Sequence, residues 1–196
     1  MQKGLKTRGS ILEKAAPVFN QRGYFGTSVE DLVKATGLQK GGLYNHYPSK
    51  QALAVASFDY AINKFRERFA EALHEGQSAM DSLETIVDVL VRSYADPVVE
   101  GGCPILNTAI EADDAHPIMR EKAQAAMQDL LGLIVLHVKR GIRNGELRSD
   151  IAARAVATHI VANCEGALML SKLFGDAAHI RRAHAQLSTY IQSLAG

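Results

Sequence analysis

Two stretches of this chain combine residue types and spacings suited to chemistry. The first is Gln39-Lys40-Gly41-Gly42-Leu43-Tyr44-Asn45-His46, where amide, ammonium, hydroxyl and imidazole groups surround two glycines. Paired donors and acceptors on Asn or Gln match the edge of adenine, and a Lys ammonium matches the acceptors of guanine. The glycines let the backbone lie close to a large surface. The second stretch is Cys103-Pro104, followed by Asn107 and Glu111. Four-residue spacing puts Cys103, Asn107 and Glu111 on one stripe of a helix. Pro104 suits a first helical position, which makes Cys103 the N-cap, where free N–H groups and the helix dipole favour a thiolate. The same cysteine also reads as a small apolar residue at a helix start, with Asn107 and Glu111 solvated. Glu111 opposes thiolate formation in either case.

The elements that must position these residues are helices. Leu5, Ile11, Leu12, Ala15, Ala16 and Phe19 recur at helical spacing over about 6–21, with Gly23 as the stop. Pro17 inside that stretch removes a hydrogen bond and predicts a kink or a local adjustment. Thr27 or Ser28 caps a second helix, whose first turn carries Glu30 and Asp31 and whose apolar face is Val29, Leu32 and Val33. Gly37 ends it in a left-handed turn, and a short third helix follows over about 39–46. Pro48-Ser49-Lys50 breaks the chain and starts a fourth helix reaching about 75. Further helices are predicted over about 79–95, from Pro104 to about Asp114, from Pro117 to about 142, over 151–174 with Asp150 as cap, and over 177–194. No segment alternates with the period of a strand, so the fold class is all-α, with a boundary near Lys50 separating residues 1–50 from 51–196.

Charge divides along the same line. The full chain of 196 residues has a net charge of +1, but residues 1–50 hold eight bases and three acids, a net +5, leaving −4 for the rest. A basic front on an acidic body points to a polyanion-binding module joined to a second function. Within residues 27–50, Leu38 and Leu43 face inward against Val29, Leu32 and Phe19. Gln39, Lys40, Gly41, Gly42, Tyr44, Asn45 and His46 are left outward. Helix, glycine turn and short helix in this order form a helix-turn-helix, whose second helix enters the DNA major groove.

The run from Gly37 to Lys50, with Phe19-Asn20-Gln21-Arg22-Gly23-Tyr24-Phe25-Gly26-Thr27-Ser28 before it, closely resembles the recognition signature of the TetR/AcrR family of transcriptional regulators. The resemblance implies an N-terminal three-helix DNA-binding domain followed by a helical ligand-binding and dimerisation domain. It implies Tyr44 and Lys50 as phosphate clamps, with Thr27 and Ser28 at a helix N-terminus beside the backbone. Lys40, Asn45 and Gln39 are then the candidates for base edges. Gly41 and Gly42 withhold two side chains, which shifts part of the readout to DNA shape. His46 touches phosphate or caps the short helix. Pro17 departs from the usual first helix of the family.

The resemblance further implies a homodimer on palindromic operator DNA, released by an unknown small-molecule effector or by modification of Cys103. Repression is the expected direction. Ala155, Ala162, Gly166 and Met169 fall near one stripe suited to close helix approach, and Ala123, Met127, Leu130, Ile134 and Val138 form another. Tyr94, Asn107, His137, His159 and Asn163 are polar residues set in apolar helices and are candidates to line a ligand cavity. Cys103 and Glu111 join them as candidate sensing residues, whereas Cys164 reads as an inert buried thiol.

Other function classes find less support. Two cysteines make no disulfide framework, and no run approaches the roughly 20 apolar residues of a membrane span, so a cytoplasmic protein without a membrane partner is expected. Cys103 paired with His116 or His137 is imaginable as nucleophile and base. No phosphate loop, nucleophile elbow or metal-ligand spacing accompanies them, so no catalytic residue, metal or cofactor is assigned.

Overall fold

The computed structural model describes residues 2–112 and 115–196, without the side chains of Gln2, Lys3 and Leu5. The expected apolar role of Leu5 and helix end at Asp114 therefore lie outside the described residues. Helices account for the architecture: α1 (Gln2–Gly26), α2 (Val29–Thr36), α3 (Lys40–Tyr44), α4 (Lys50–Ala72), α5 (Ala79–Arg92), α6 (Pro104–Ala112), α7 (Pro117–Arg143), α8 (Ala153–Phe174) and α9 (Ala178–Gln192). Among the described residues the only β pairing is an isolated bridge between Leu147 and Ala195. No helix of the described residues is long and apolar enough to cross a membrane.

The chain folds as two compact units. Unit 1 comprises Met1–Phe65 with Val98–Gln124, and unit 2 comprises Arg66–Pro97 with Ala125–Gly196. The core of unit 1 gathers Ile11, Ala15, Leu32, Leu43, Tyr47 and Leu53, with Leu12, Phe19 and Leu38 packed against it. Full burial of each large aliphatic side chain there stabilises the fold by about 1.5–3 kcal/mol. Helix α1 continues through Pro17 with helical dihedrals and breaks instead at Gly23 (φ 73°, ψ 173°). A proline costs a helix one N–H donor, whereas the left-handed φ at Gly23 redirects the chain itself.

Local capping sets the turns of unit 1. Ser28, rather than Thr27, is the N-cap of α2. Its Oγ accepts from the Asp31 N–H at 3.0 Å, and the Asp31 carboxylate accepts from the Ser28 N–H at 2.9 Å. This reciprocal pair satisfies two otherwise orphaned backbone donors. It also holds the Asp31 carboxyl below its ordinary value, with the Ser28 backbone bond as the largest cause. Gly37 closes α2 at φ 73°, and Ser49 Oγ accepts from the Ala52 N–H at 3.0 Å to cap α4.

Unit 2 packs α8 against α9, with α5 against both. Leu83, Ile86, Ile160, Leu187 and Ile191 are among its fully buried side chains. Ser78 caps α5 through the Asp81 N–H, while Arg140 donates to the Gln77 carbonyl (2.8 Å) and to Ser82 Oγ (2.9 Å). Asp150 does not cap α8. That helix begins two residues later, with Ala152 at the N-cap and no side-chain bond there. Asp150 instead lies 3.9 Å from exposed Arg148.

Candidate nucleic-acid interface and the joint behind it

The recognition face forms because α3 has only one strongly apolar side. Leu43 is buried and fastens the helix inward, and Tyr47 follows it into the core with its hydroxyl donating to the Arg8 carbonyl at 3.4 Å. Gln39, Lys40, Gly41 and Asn45 are exposed, while Gly42, Tyr44, His46 and Lys50 are half-buried at its margin. Seven of the predicted DNA-facing residues thus share one outward surface on and beside α3, and Lys50 starts α4. Ser28 is exposed at the start of α2. Thr27 is the exception: it is 1% exposed and its hydroxyl donates to the Gly23 carbonyl at 2.6 Å. Its donor is committed inside the protein, and this corrects the expectation that it reaches phosphate.

Behind this face, α1 meets α6 through polar contacts. The Tyr24 N–H donates to Glu111 Oε2 at 2.7 Å, and the Phe25 N–H donates to Glu111 Oε1 at 2.9 Å. Both donors become available because Gly23 interrupts the helix just before them. A Cβ at Gly23 would overlap the Glu111 carboxylate. One turn earlier, Asn107 Nδ2 donates to the Asn20 carbonyl and side-chain oxygens, each at 3.0 Å, and to the Gly101 carbonyl at 2.9 Å. Asn20 Nδ2 in turn reaches the carbonyls of Glu100 and Gly102, both at 3.0 Å. Asn107 and Glu111 are therefore half-buried and bonded to α1.

Cys103 does precede α6 as its N-cap, since the Asn107 N–H donates to the Cys103 carbonyl at 3.1 Å. Its side chain is only 4% exposed and forms no disulfide. Cys164 is buried as expected, and burial, reinforced by the charge of Glu165, pushes its thiol up to about 12.

Tyr94, His137, His159 and Asn163 lie in unit 2, apart from Cys103, Asn107 and Glu111 in unit 1. His137 has a buried Nδ1 without a hydrogen-bond partner, and burial, then the charge of Arg140, hold its imidazole below the ordinary value. His159 is exposed over the Tyr190 ring, 4.3 Å between centroids, and accepts from Asn163 at its carbonyl. Asn163 lines an open groove between α8 and α9.

Sequence reasoning missed a small cavity inside unit 1, about 30 Å³, among α1, α4, α6 and the start of α7. Tyr24, Ser57, Phe58, Glu111, His116 and Met119 are among its walls. Ser57 is 1% exposed, and its Oγ has no hydrogen-bond partner. The signal was present in the sequence: Ser57 is the polar member of the buried stripe Leu53, Ala54, Phe58 and Ala61 on α4. On α8, by contrast, Ala155, Ala162 and Met169 are exposed, as are Leu173 (70%) and Phe174 (65%) at its end. Of the second predicted stripe, Ala123, Leu130, Ile134 and Val138 are buried within their own chain and Met127 is half-buried.

Comparison with known proteins assigns this arrangement. Residues 11–56 match the model of bacterial regulatory proteins of the tetR family, and residues 79–187 match that of the tetracyclin repressor-like C-terminal domain. The chain belongs to the TetR family. Members of the family are transcriptional regulators, generally DNA-binding repressors, and are not enzymes. The TetR-family fold is shared across the full length with a TetR transcriptional regulator from Chloroflexus aurantiacus J-10-FL. That crystal structure superposes with a TM-score of 0.95 at 42% identity, covering 100% of this chain and 98% of the other. The transcriptional repressor ComR of Escherichia coli (strain K12) is 30% identical over 80% of this chain and 74% of its own. The repressor DhaR of Mycobacterium sp. (strain GP1) is 24% identical over 85% and 82%.

Proposed function

We propose that this TetR-family protein is a ligand-responsive repressor that holds a palindromic operator as a homodimer in the cytoplasm and releases it when a small molecule binds. The observation that carries the DNA half is the outward polar face of α3, anchored by buried Leu43. In this reading Tyr44, Lys50 and Ser28 contact phosphate, Lys40, Asn45 and Gln39 read base edges, and His46 contacts the backbone. Gly41 and Gly42 admit the close approach. Phosphate contacts set register, and base contacts set sequence.

Dimerisation is supported by the exposed apolar side of α8, since large bare apolar groups on a soluble surface mark interaction sites. Two copies also read a longer site than one short helix does. Residues 1–50 carry the DNA function in this proposal and residues 51–196 the dimer and effector functions, with residues 98–124 folded in the same compact unit as the former. The effector enters at Ser57, where the small cavity must widen to admit it, and largely apolar walls with one unsatisfied hydroxyl suit a compact molecule with an apolar body and a hydrogen-bonding group. Modification of Cys103 is the weaker trigger, because a reagent meets a thiol that is 4% exposed.

The test begins by selecting a duplex from random DNA with the wild-type protein. Tyr44→Phe and Lys50→Ala should each bind that duplex more weakly, and wild-type affinity in both sinks the contact assignment. Met169→Lys combined with Leu173→Glu should sediment as a monomer. Effector-driven release that persists in Cys103→Ser places control outside the thiol.

A further inference from the structure

We propose that Glu111 and Tyr24 form a positioning joint that couples α6 to the phosphate-facing Lys50, an inference that rests on the DNA-binding reading above. Tyr24 is where the contacts converge. Its N–H is held by Glu111 at 2.7 Å, so the backbone of α1 beyond Gly23 follows α6. Its ring and the His116 ring, just before α7, pack in a T shape, 4.6 Å between centroids with planes at 81°. The Lys50 ammonium lies 4.4 Å from the Tyr24 ring centroid.

Each link has a physical reason to be specific. A carboxylate accepting two adjacent backbone N–H groups fixes distance and direction together, and bonds to a charged acceptor are stronger than neutral ones. Gly23 holds φ 73°, a left-handed conformation that glycine adopts readily, and a Cβ there would push against the Glu111 carboxylate. An ammonium over an aromatic face is drawn to the ring quadrupole, which restricts a long and otherwise mobile side chain. Lys50 therefore waits in a defined place at the start of α4, and its place depends on Tyr24. Movement of α6 shifts the Tyr24 backbone, then its ring, then the ammonium. Tyr24 and Glu111 touch no DNA in this scheme; they act through Lys50. Glu111 also lines the Ser57 cleft, so a molecule entering there meets the joint directly.

The test uses the full-length protein and the duplex that the wild type selects. Its affinity is measured by fluorescence anisotropy at several KCl concentrations, and backbone exchange is followed at Tyr24 and Phe25. Tyr24→Phe keeps the ring and the amide and should behave as wild type. Tyr24→Leu should bind about tenfold more weakly, and its salt dependence should be shallower by about 2 in log–log slope, roughly 0.9 for each lysine lost from a two-fold site. Glu111→Ala should shift affinity and slope the same way and accelerate exchange at both amides. Glu111→Gln, which keeps one acceptor oxygen, should fall between. Wild-type affinity and slope in both Tyr24→Leu and Glu111→Ala overturn the joint. If Tyr24→Leu loses its helical circular dichroism, the slope of Glu111→Gln decides: an unchanged slope overturns the joint. A wild type that selects no duplex overturns the operator reading, whereas unchanged amide exchange in Glu111→Ala overturns the joint alone.

Discussion

The α1–α6 contact of unit 1 and the α8–α9 contact of unit 2 are both helix–helix interfaces, but they are built differently. Between α8 and α9 the chain buries aliphatic groups such as Ile160, Leu168, Leu187 and Ile191. One capping bond accompanies them, from the Ile180 N–H to Ser171 Oγ at 2.9 Å. Between α1 and α6, Asn20, Asn107 and Glu111 hold backbone groups in separate stretches of chain. Apolar packing is non-directional and tolerates swaps of similar volume. A buried or half-buried polar contact is satisfied in one geometry and costs energy in every other. The first kind of interface suits a body that must stay together. The second suits a joint that must hold a reading surface in one orientation.

Changes that break or sharpen this contrast can be ranked. Leu43→Ala removes the anchor of the recognition helix and should cost unit 1 about 2–5 kcal/mol, as a buried Leu truncation does. Urea unfolding would measure it, with loss of duplex binding alongside. Replacing Asn107 by Leu, similar in volume, should still destabilise the α1–α6 joint by about 1–3 kcal/mol, because the Asn20 oxygens and the Gly101 carbonyl lose their donor. Leu168→Met at the α8–α9 interface should cost less than about 1.5 kcal/mol. Equal losses at the two sites would erase the distinction. Ser28→Ala should cost about 1 kcal/mol through the cap of α2, and Asp31 should titrate nearer its ordinary value by NMR.

The smallest expected effect is a pH dependence in unit 2. Burial and Arg140 hold His137 below its ordinary 6.5, so the unfolded chain takes up this proton first as pH falls. The stability contributed by keeping the imidazole neutral is intact above about 6.5 and declines as pH drops through the window below it. Urea midpoints at pH 7.5 and 5.5 should diverge less in His137→Leu than in wild type. An identical divergence would assign the pH dependence to other groups.

Much of the helix-turn-helix was legible because its signals are local. Ser28 with Asp31, Gly37, the apolar positions Leu32, Leu38 and Leu43, and the polar set between them all act within a few residues of one another. Thr27 escaped that reading, since nothing local says that its hydroxyl turns to the Gly23 carbonyl rather than outward. Asp150 escaped it too, being two residues early for a helix that starts without a side-chain cap. The Cys103, Asn107 and Glu111 stripe was read correctly as one helix face, but the sequence did not show that Asn107 and Glu111 bond to α1. Spacing says which residues share a side, not what lies against it.

The amino-acid order by itself settled the all-helical class, most turn and cap positions, and the helix-turn-helix. Helix periodicity, capping and glycine turns are short-range interactions, and short-range interactions are written contiguously. Only the tertiary structure decided that Glu111 grips the Tyr24 and Phe25 amides, 87 and 86 positions away in sequence. The tertiary fold also sealed Ser57 without a partner and left one side of α8 bare. Those outcomes depend on which faces of distant helices meet, and that choice is made by the packing of the whole unit.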